Sequence, residues 1–294
     1  MQVNIPIDPT SKGIEATDDV QGIRVTGRDC LNCGTLLQDR FCHVCGEQRR
    51  TRADLRPSAY LVHGLNEVFD LDHNALLTLQ HLITRPGKLT VEFMAGRTGQ
   101  FADPFKVYLI ASVLFFLFGW GTFLELSFGN STYQTMFAQI ARREQRPTEQ
   151  VTDEFFRELQ AELGYGRFVS VFVSGLILAA LYVRSGVLYV EHLVFSLHFF
   201  SFEFLLDIVY TMVYRLLPGS IAAARAGPIA PIIDTLYYLI YALYALLALK
   251  AVYGQSWGWT VLKTTLFCVL QVMLLVGIFI AVVIVSLIVI LFQR

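Results

Sequence analysis

Val261-Leu-Lys-Thr-Thr-Leu-Phe-Cys-Val-Leu-Gln-Val-Met-Leu-Leu-Val-Gly-Ile-Phe-Ile-Ala-Val-Val-Ile-Val-Ser-Leu-Ile-Val-Ile-Leu-Phe292 is apolar almost throughout, and Lys263 is its only formal charge. The hydrocarbon core of a bilayer takes about 20 mainly apolar residues as a helix. The stretch therefore predicts a membrane span and sets the class of the chain. Four more segments of this kind precede it: Phe105–Leu124, Phe168–Val183, Val187–Leu217 and Ile232–Leu249. The first is entered through Asp103-Pro104-Phe105-Lys106, and a Gly/Pro/Ala-rich link at 218–231 leads into the fourth. The expected fold is all-α and polytopic, with about five transmembrane helices over 104–294. Composition agrees, since 54% of residues are apolar and only 16% charged, against roughly 25% charged in soluble domains.

The third span is unlike the others. Tyr189-Val-Glu191-His192-Leu-Val-Phe-Ser196-Leu-His198-Phe-Phe-Ser-Phe-Glu203, followed by Asp207, puts five ionisable groups in apolar surroundings. At 100° per residue Glu191 and His198 share one line, and His192, Glu203 and Asp207 share another about 100° round. Each such group costs a few kcal/mol or more in hydrocarbon, so the stripe is expected to face the bundle interior or water. Three readings stand side by side. Glu191–His198 and His192–Glu203 could hydrogen-bond within the helix or to neighbours, as satisfied packing glue. The acids and histidines could form a cation or proton track. Glu191, His192 and His198 could hold a second metal, although no HExxH spacing is present.

Between the first two spans, 127–166 reads as an extracytoplasmic loop. Within it Val151, Phe155 and Leu159 recur every fourth residue after Thr148 and before Gly164. That predicts an amphipathic helix which Gly164 ends.

The N-terminal third is different in kind. Residues 1–29 are polar, without an apolar period, and are expected to form a flexible tail. A basic region followed by an apolar core is lacking, so no cleavable signal is expected. Cys30-Leu-Asn-Cys33-Gly34 and Cys42-His-Val-Cys45-Gly46 then give C-x2-C…C-x2-C, with a glycine after each pair. A two-residue gap lets both thiolates of one turn face one metal, and the glycines allow a backbone turn of positive φ with N–H groups toward the sulfurs. Four thiolates suit one structural Zn²⁺, so 30–48 reads as a four-cysteine zinc ribbon with a closed coordination shell. Its apolar stock is only Leu31, Leu36, Leu37, Phe41 and Val44, so the metal must supply the folding energy. Disulfides are the competing reading and are disfavoured in a reducing cytosol. His43 is taken as a bystander and Cys268 as a packing residue.

Residues 49–103 read as a basic linker with interfacial amphipathic helices. Arg49, Arg50, Arg52 and Arg56 form a membrane-surface basic cluster suited to anionic lipid. Leu61, Leu65, Val68 and Phe69 mark one helix. Leu76, Leu79 and Ile83 mark a second, capped by Asp72 and broken at Thr84-Arg85-Pro86-Gly87. Lys88 to Ala95 adds a further turn or two, ended by Gly96. His63, His73 and His81 lack the spacing of a metal site and read as solvated.

Several of these stretches occur together in a known family. The cysteine ribbon, Leu82-Ile-Thr-Arg85-Pro86-Gly87-Lys88, Gly96-Arg97 with Pro104-Phe105-Lys106-Val-Tyr108-Leu109, and Glu191-His192-Leu-Val-Phe-Ser-Leu-His198 resemble the bacterial zinc-ribbon membrane proteins grouped as domain of unknown function 3667. The resemblance runs over roughly 30–215. It implies a multi-pass protein of the bacterial inner (cytoplasmic) membrane and brings no activity with it.

Reduced cysteines place the N-terminus in the cytosol, and five spans then put the C-terminus on the far side. The expected partners are the lipid bilayer, further copies of the chain, and a cytosolic protein docked on the ribbon. A net charge of −1 gives no case for nucleic acid. The leading functional reading is a transporter or channel with its pathway along the third span. The alternatives are a non-catalytic scaffold or regulator and, less favoured, an intramembrane metal-dependent enzyme.

Overall fold

The computed structural model describes residues 29–38, 41–46, 74–128, 131–219 and 221–292. The tail before Asp29, the cluster Arg49, Arg50, Arg52 and Arg56, the helix expected around Leu61–Phe69, the Asp72 cap, His63 and His73 lie outside the described residues. Asp29 itself pairs with Leu36 in an isolated antiparallel bridge.

Beyond the ribbon the described residues form ten helices: α1 Asn74–Thr84, α2 Lys88–Met94, α3 Pro104–Phe118, α4 Trp120–Phe128, α5 Ser131–Glu144, α6 Thr148–Leu181, α7 Tyr189–Leu216, α8 Ile221–Ala226, α9 Ala230–Tyr253 and α10 Trp257–Phe292. Four segments are long and apolar enough to cross a membrane: Gly164–Leu181, Tyr189–Leu216, Ala230–Tyr253 and Trp257–Val282. They are the frame of a membrane-embedded protein.

α7 is the central helix. Burial within the chain reaches 72% for it, against 28%, 22% and 17% for the other three. Every residue from Val190 to Phe204 is buried. A helix apolar nearly all round needs neighbours on every side, and α7 packs against α2, α3, α4, α6 and α9.

The expected first span, Phe105–Leu124, is corrected. α3 ends at Phe118, with Gly119 as its C-cap. A Cβ on Gly119 would sit 2.8 Å from the Phe115 ring, so the ring fills the space that a side chain would need. The 15 residues of α3 span about 22 Å, short of a hydrocarbon core of about 30 Å. Its start is well formed: Asp103 accepts a bond from the Phe105 N–H at 2.9 Å, and Pro104 opens the helix.

α1 and α2 pack beside α7. Thr90 of α2 bonds His198, while Phe115 of α3 packs on Phe204. The two short helices thus line successive parts of the central helix. Tyr244 of α9 donates to the Leu82 carbonyl at 2.9 Å, tying α1 into the same end. Arg85-Pro86-Gly87 turns directly on α9. Gly87 has φ +79°, and a Cβ there would meet the Ala248 carbonyl oxygen at 2.7 Å. His81 is likewise not a solvated histidine. Its ring packs edge-on to Phe101, and burial, then Lys88 and Arg85, lower its pKa.

The expected stop at Gly164 is also corrected. α6 runs unbroken from Thr148 to Leu181. Gly166 serves packing instead, because a Cβ there would meet Ile278 of α10 at 2.6 Å. The amphipathic half expected around Val151, Phe155 and Leu159 is present. Phe155 and Leu159 join Phe137 of α5 and Val282 of α10 in a small second core.

Gly87→Ala should destabilise the bundle by roughly 1–3 kcal/mol, because the site is overpacked and requires positive φ. Thermal unfolding of the purified variant in detergent checks this. A melting temperature equal to wild type would show that the turn does not seat on Ala248.

Candidate functional site

Two clusters carry chemistry. The first is the ribbon. The four cysteine Sγ atoms all lie within 4.8 Å of one another. Cys30 and Cys45 are 3.4 Å apart and Cys33 and Cys42 3.5 Å. All four are free thiols rather than disulfides. Four thiolates at 2.3 Å from one tetrahedral ion are about 3.8 Å apart, and the cluster fits that demand. Gly34 and Gly46 take φ +75° and +74°, as the turns require. Their N–H groups donate to the Cys30 and Cys42 carbonyls rather than to sulfur. The Thr35 hydroxyl and then its backbone hold the Cys33 thiol down to about 6, which favours the thiolate a metal needs. Only Cys30 and Cys42 are buried here, while Leu31, Leu36, Phe41 and Val44 are exposed. His43 stands apart from the cluster.

The second cluster lies on α7. All five stripe residues are buried, and the bonds of His192, His198, Glu203 and Asp207 reach neighbouring helices. Glu191 accepts from the Leu188 N–H at 2.7 Å and closes the first turn of α7. His192 Nδ1 is 2.6 Å from the Tyr253 hydroxyl of α9. Tyr253 in turn stacks on Tyr182 at 3.5 Å. His198 Nδ1 is 2.9 Å from the Thr90 hydroxyl of α2. Glu191, His192 and His198 therefore do not converge, and among the described residues only the four cysteines bring three or more metal-ligating groups together. These three residues do not form such a group among the described residues. The reason is local: each side chain is claimed by a donor or hydroxyl from a different part of the bundle.

Glu203 and Asp207 do come together, one turn apart on α7. Both bond the same guanidinium, that of Arg167 on α6. Its Nη1 donates to Glu203 Oε1 at 2.9 Å and its Nη2 to Asp207 Oδ2 at 3.2 Å. The Tyr237 hydroxyl of α9 donates to Asp207 Oδ1 at 2.7 Å. The guanidinium also lies over the rings of Phe115 and Phe204, at 5.8 and 5.4 Å. Glu203 Oε2 is buried without a hydrogen-bond partner among the described residues. Two carboxylates thus share one cation, and one oxygen is left over.

Sequence reasoning found the acids and missed Arg167, Tyr237, Thr90 and Tyr253. Arg167 lies one residue before the expected start of the second span and looks like a boundary charge. The signal for it was the excess of acid on the third span, which demands a cation from another helix.

Two outcomes follow. Purified protein should carry one metal ion in the cysteine site, and Cys30→Ser should lose it, as metal analysis by mass spectrometry will read; a variant with the metal content of wild type would contradict the cluster. Arg167→Gln leaves two buried carboxyls facing a neutral group and should cost about 3–5 kcal/mol, measured as a fall in unfolding midpoint. The double change Arg167→Gln with Glu203→Gln should recover part of that loss.

Comparison with known proteins finds one family match. The family described as "Protein of unknown function (DUF3667)" matches residues 72–116. The match covers α1, α2 and most of α3, including the Gly87 turn, and leaves out the cysteines and the α7 stripe. No curated protein matches the chain. No solved structure matches it either.

Proposed function

We propose that the chain is a proton-translocating membrane protein and that Arg167, Glu203, Asp207 and Tyr237 form its proton site. The observation that carries this reading is the odd charge. Two carboxylates facing one guanidinium leave an excess negative charge in a buried place, where an uncompensated charge costs several kcal/mol. A proton shared by the pair removes it, as in other carboxyl pairs that cannot both ionise. A metal cation is a poorer fit, because the guanidinium already occupies one oxygen of each acid. Polar groups also follow α7 for most of its length. His192 pairs with Tyr253, His198 with Thr90, the two acids with Arg167, and Tyr214 with Asp234. From His192 to Tyr214 the rise is about 33 Å, close to the thickness of a hydrocarbon core.

In this reading the cysteine cluster holds one structural Zn²⁺. The ribbon lies in the cytosol of a bacterium, and the protein sits in the inner membrane. A second reading, a scaffold or regulator, draws on the ribbon alone: its exposed Leu31, Leu36, Phe41 and Val44 suit docking of a cytosolic protein.

Liposomes with a trapped pH-sensitive dye test the leading reading. Wild type should dissipate an imposed pH gradient faster than protein-free vesicles, and Glu203→Gln should fall to the protein-free rate. Equal rates for wild type and Glu203→Gln would overturn it. Loss of phenotype on deleting the ribbon, with proton flux absent from wild type, would favour the scaffold.

A further inference from the structure

We propose that the Glu203–Asp207 site is loaded from the end of the bundle that carries Arg225 and Asp234, through Asp234, Tyr210 and Tyr237. This rests on the proton reading above and adds the direction from which the proton arrives.

A second ion pair lies beyond the first. Arg225 of α8 donates to Asp234 of α9 at 3.1 Å. The Tyr210 and Tyr214 hydroxyls of α7 each donate to the same carboxylate oxygen at 2.8 Å. Exposure falls inward from this pair. The side chains of Arg225 and Asp234 are 43% and 30% exposed, those of Glu203 and Asp207 only 4% and 6%. Two tyrosines bridge the stations. Tyr210 and Tyr237 have ring centroids 4.8 Å apart, and each hydroxyl donates to the carboxylate on its own side, Asp234 and Asp207. The two rings are in contact, so a swing of the Tyr210 hydroxyl toward Tyr237 would complete a relay between the carboxylates. Asp234 takes a proton from water. Each hydroxyl accepts one proton as it gives up another and ends unchanged. Asp207 receives the last, and the pair with Glu203 keeps it.

The opposite approach is lined by apolar packing, which makes it the slower side for a proton to cross. Between His198 and Glu203 the α7 side chains are Phe199, Phe200, Ser201 and Phe202. Phe202 stacks on Tyr244 at 3.5 Å, and Phe199 packs on Tyr241 and Phe267. Ser201 turns its hydroxyl back to the Leu197 carbonyl. Thr90 and the Leu82 carbonyl cover His198 and Tyr244 from α2 and α1. The titratable groups facing the inner acids are Arg167 of α6, Tyr108 of α3, and Tyr237 and Tyr241 of α9, with Cys268 of α10 beside Tyr241. Facing Asp234 are Arg225, Tyr210 and Tyr214.

The test uses full-length protein in sealed vesicles of one orientation, in an infrared flow cell. The carboxyl band absent from Glu203→Gln reports the inner site. From an alkaline start, an acid step on the Asp234 side should raise this band quickly, and the same step on the other side should raise it more slowly. Asp234→Asn should slow its appearance about tenfold or more, and Asp234→Glu should restore most of the rate. Should Asp234→Asn lose the wild-type melting transition, Tyr237→Phe, which keeps the ring and removes only the hydroxyl, should slow it likewise. A band that rises at the wild-type rate in these variants, or answers faster to the opposite side, overturns the entry route and leaves the site standing. A band that Glu203→Gln does not remove overturns the site itself.

Discussion

The arrangement of the bundle depends on one electrostatic constraint: Glu203 and Asp207 sit one turn apart on a buried helix and must find a positive charge. Arg167 is that charge, and it comes from another helix. Its guanidinium is planar and offers donors in a fixed fork, so it meets two carboxylates at once where a lysine could meet only one well. Once made, the contact sets α6 against α7. Tyr237 then brings α9 to the same place by bonding the free oxygen of Asp207. Three of the apolar helices are thus held at one polar point. The aromatic rings around it, Phe115 and Phe204, complete the cover.

The same helix is supported at its other end by weaker, neutral bonds. His192 meets Tyr253 and His198 meets Thr90. A buried hydrogen bond of this kind contributes about 1 kcal/mol, but leaving one partner unmade costs more. That asymmetry gives the packing of α1 and α2 a purpose. Thr90 reaches His198 only because the Gly87 turn seats on Ala248 without a side chain between them. The stretch that matches the family of unknown function is therefore the stretch that closes one end of the bundle.

Much of this was legible in residues 261–292 and the other apolar runs, because length and hydropathy alone decide whether a helix can span. The cysteine cluster was legible too, since two C-x2-C pairs followed by glycines bring four thiols together. The break at Gly119 was not, because nothing in an apolar run shows that the Phe115 ring will take the space beside the glycine. Gly164 misled in the opposite sense. A glycine ends a helix in water but lets helices approach closely in a bundle, and Gly166 meets Ile278 in that way. The stripe on α7 was legible as a set of buried charges and not as a site. Helical periodicity places residues on a face of their own helix and says nothing of which neighbour answers them. Arg167, 36 residues from Glu203 in sequence, could be chosen only by the fold.

The account turns on the charge state of one pair of carboxyls. Carbon-13 NMR of the side-chain carboxyls, on labelled protein in bilayers at neutral pH, counts the protons there directly. The account predicts one protonated carboxyl in the pair, whose signal disappears in Glu203→Gln. Finding both Glu203 and Asp207 fully ionised would contradict it, and would mean that the odd charge is met by something other than a proton.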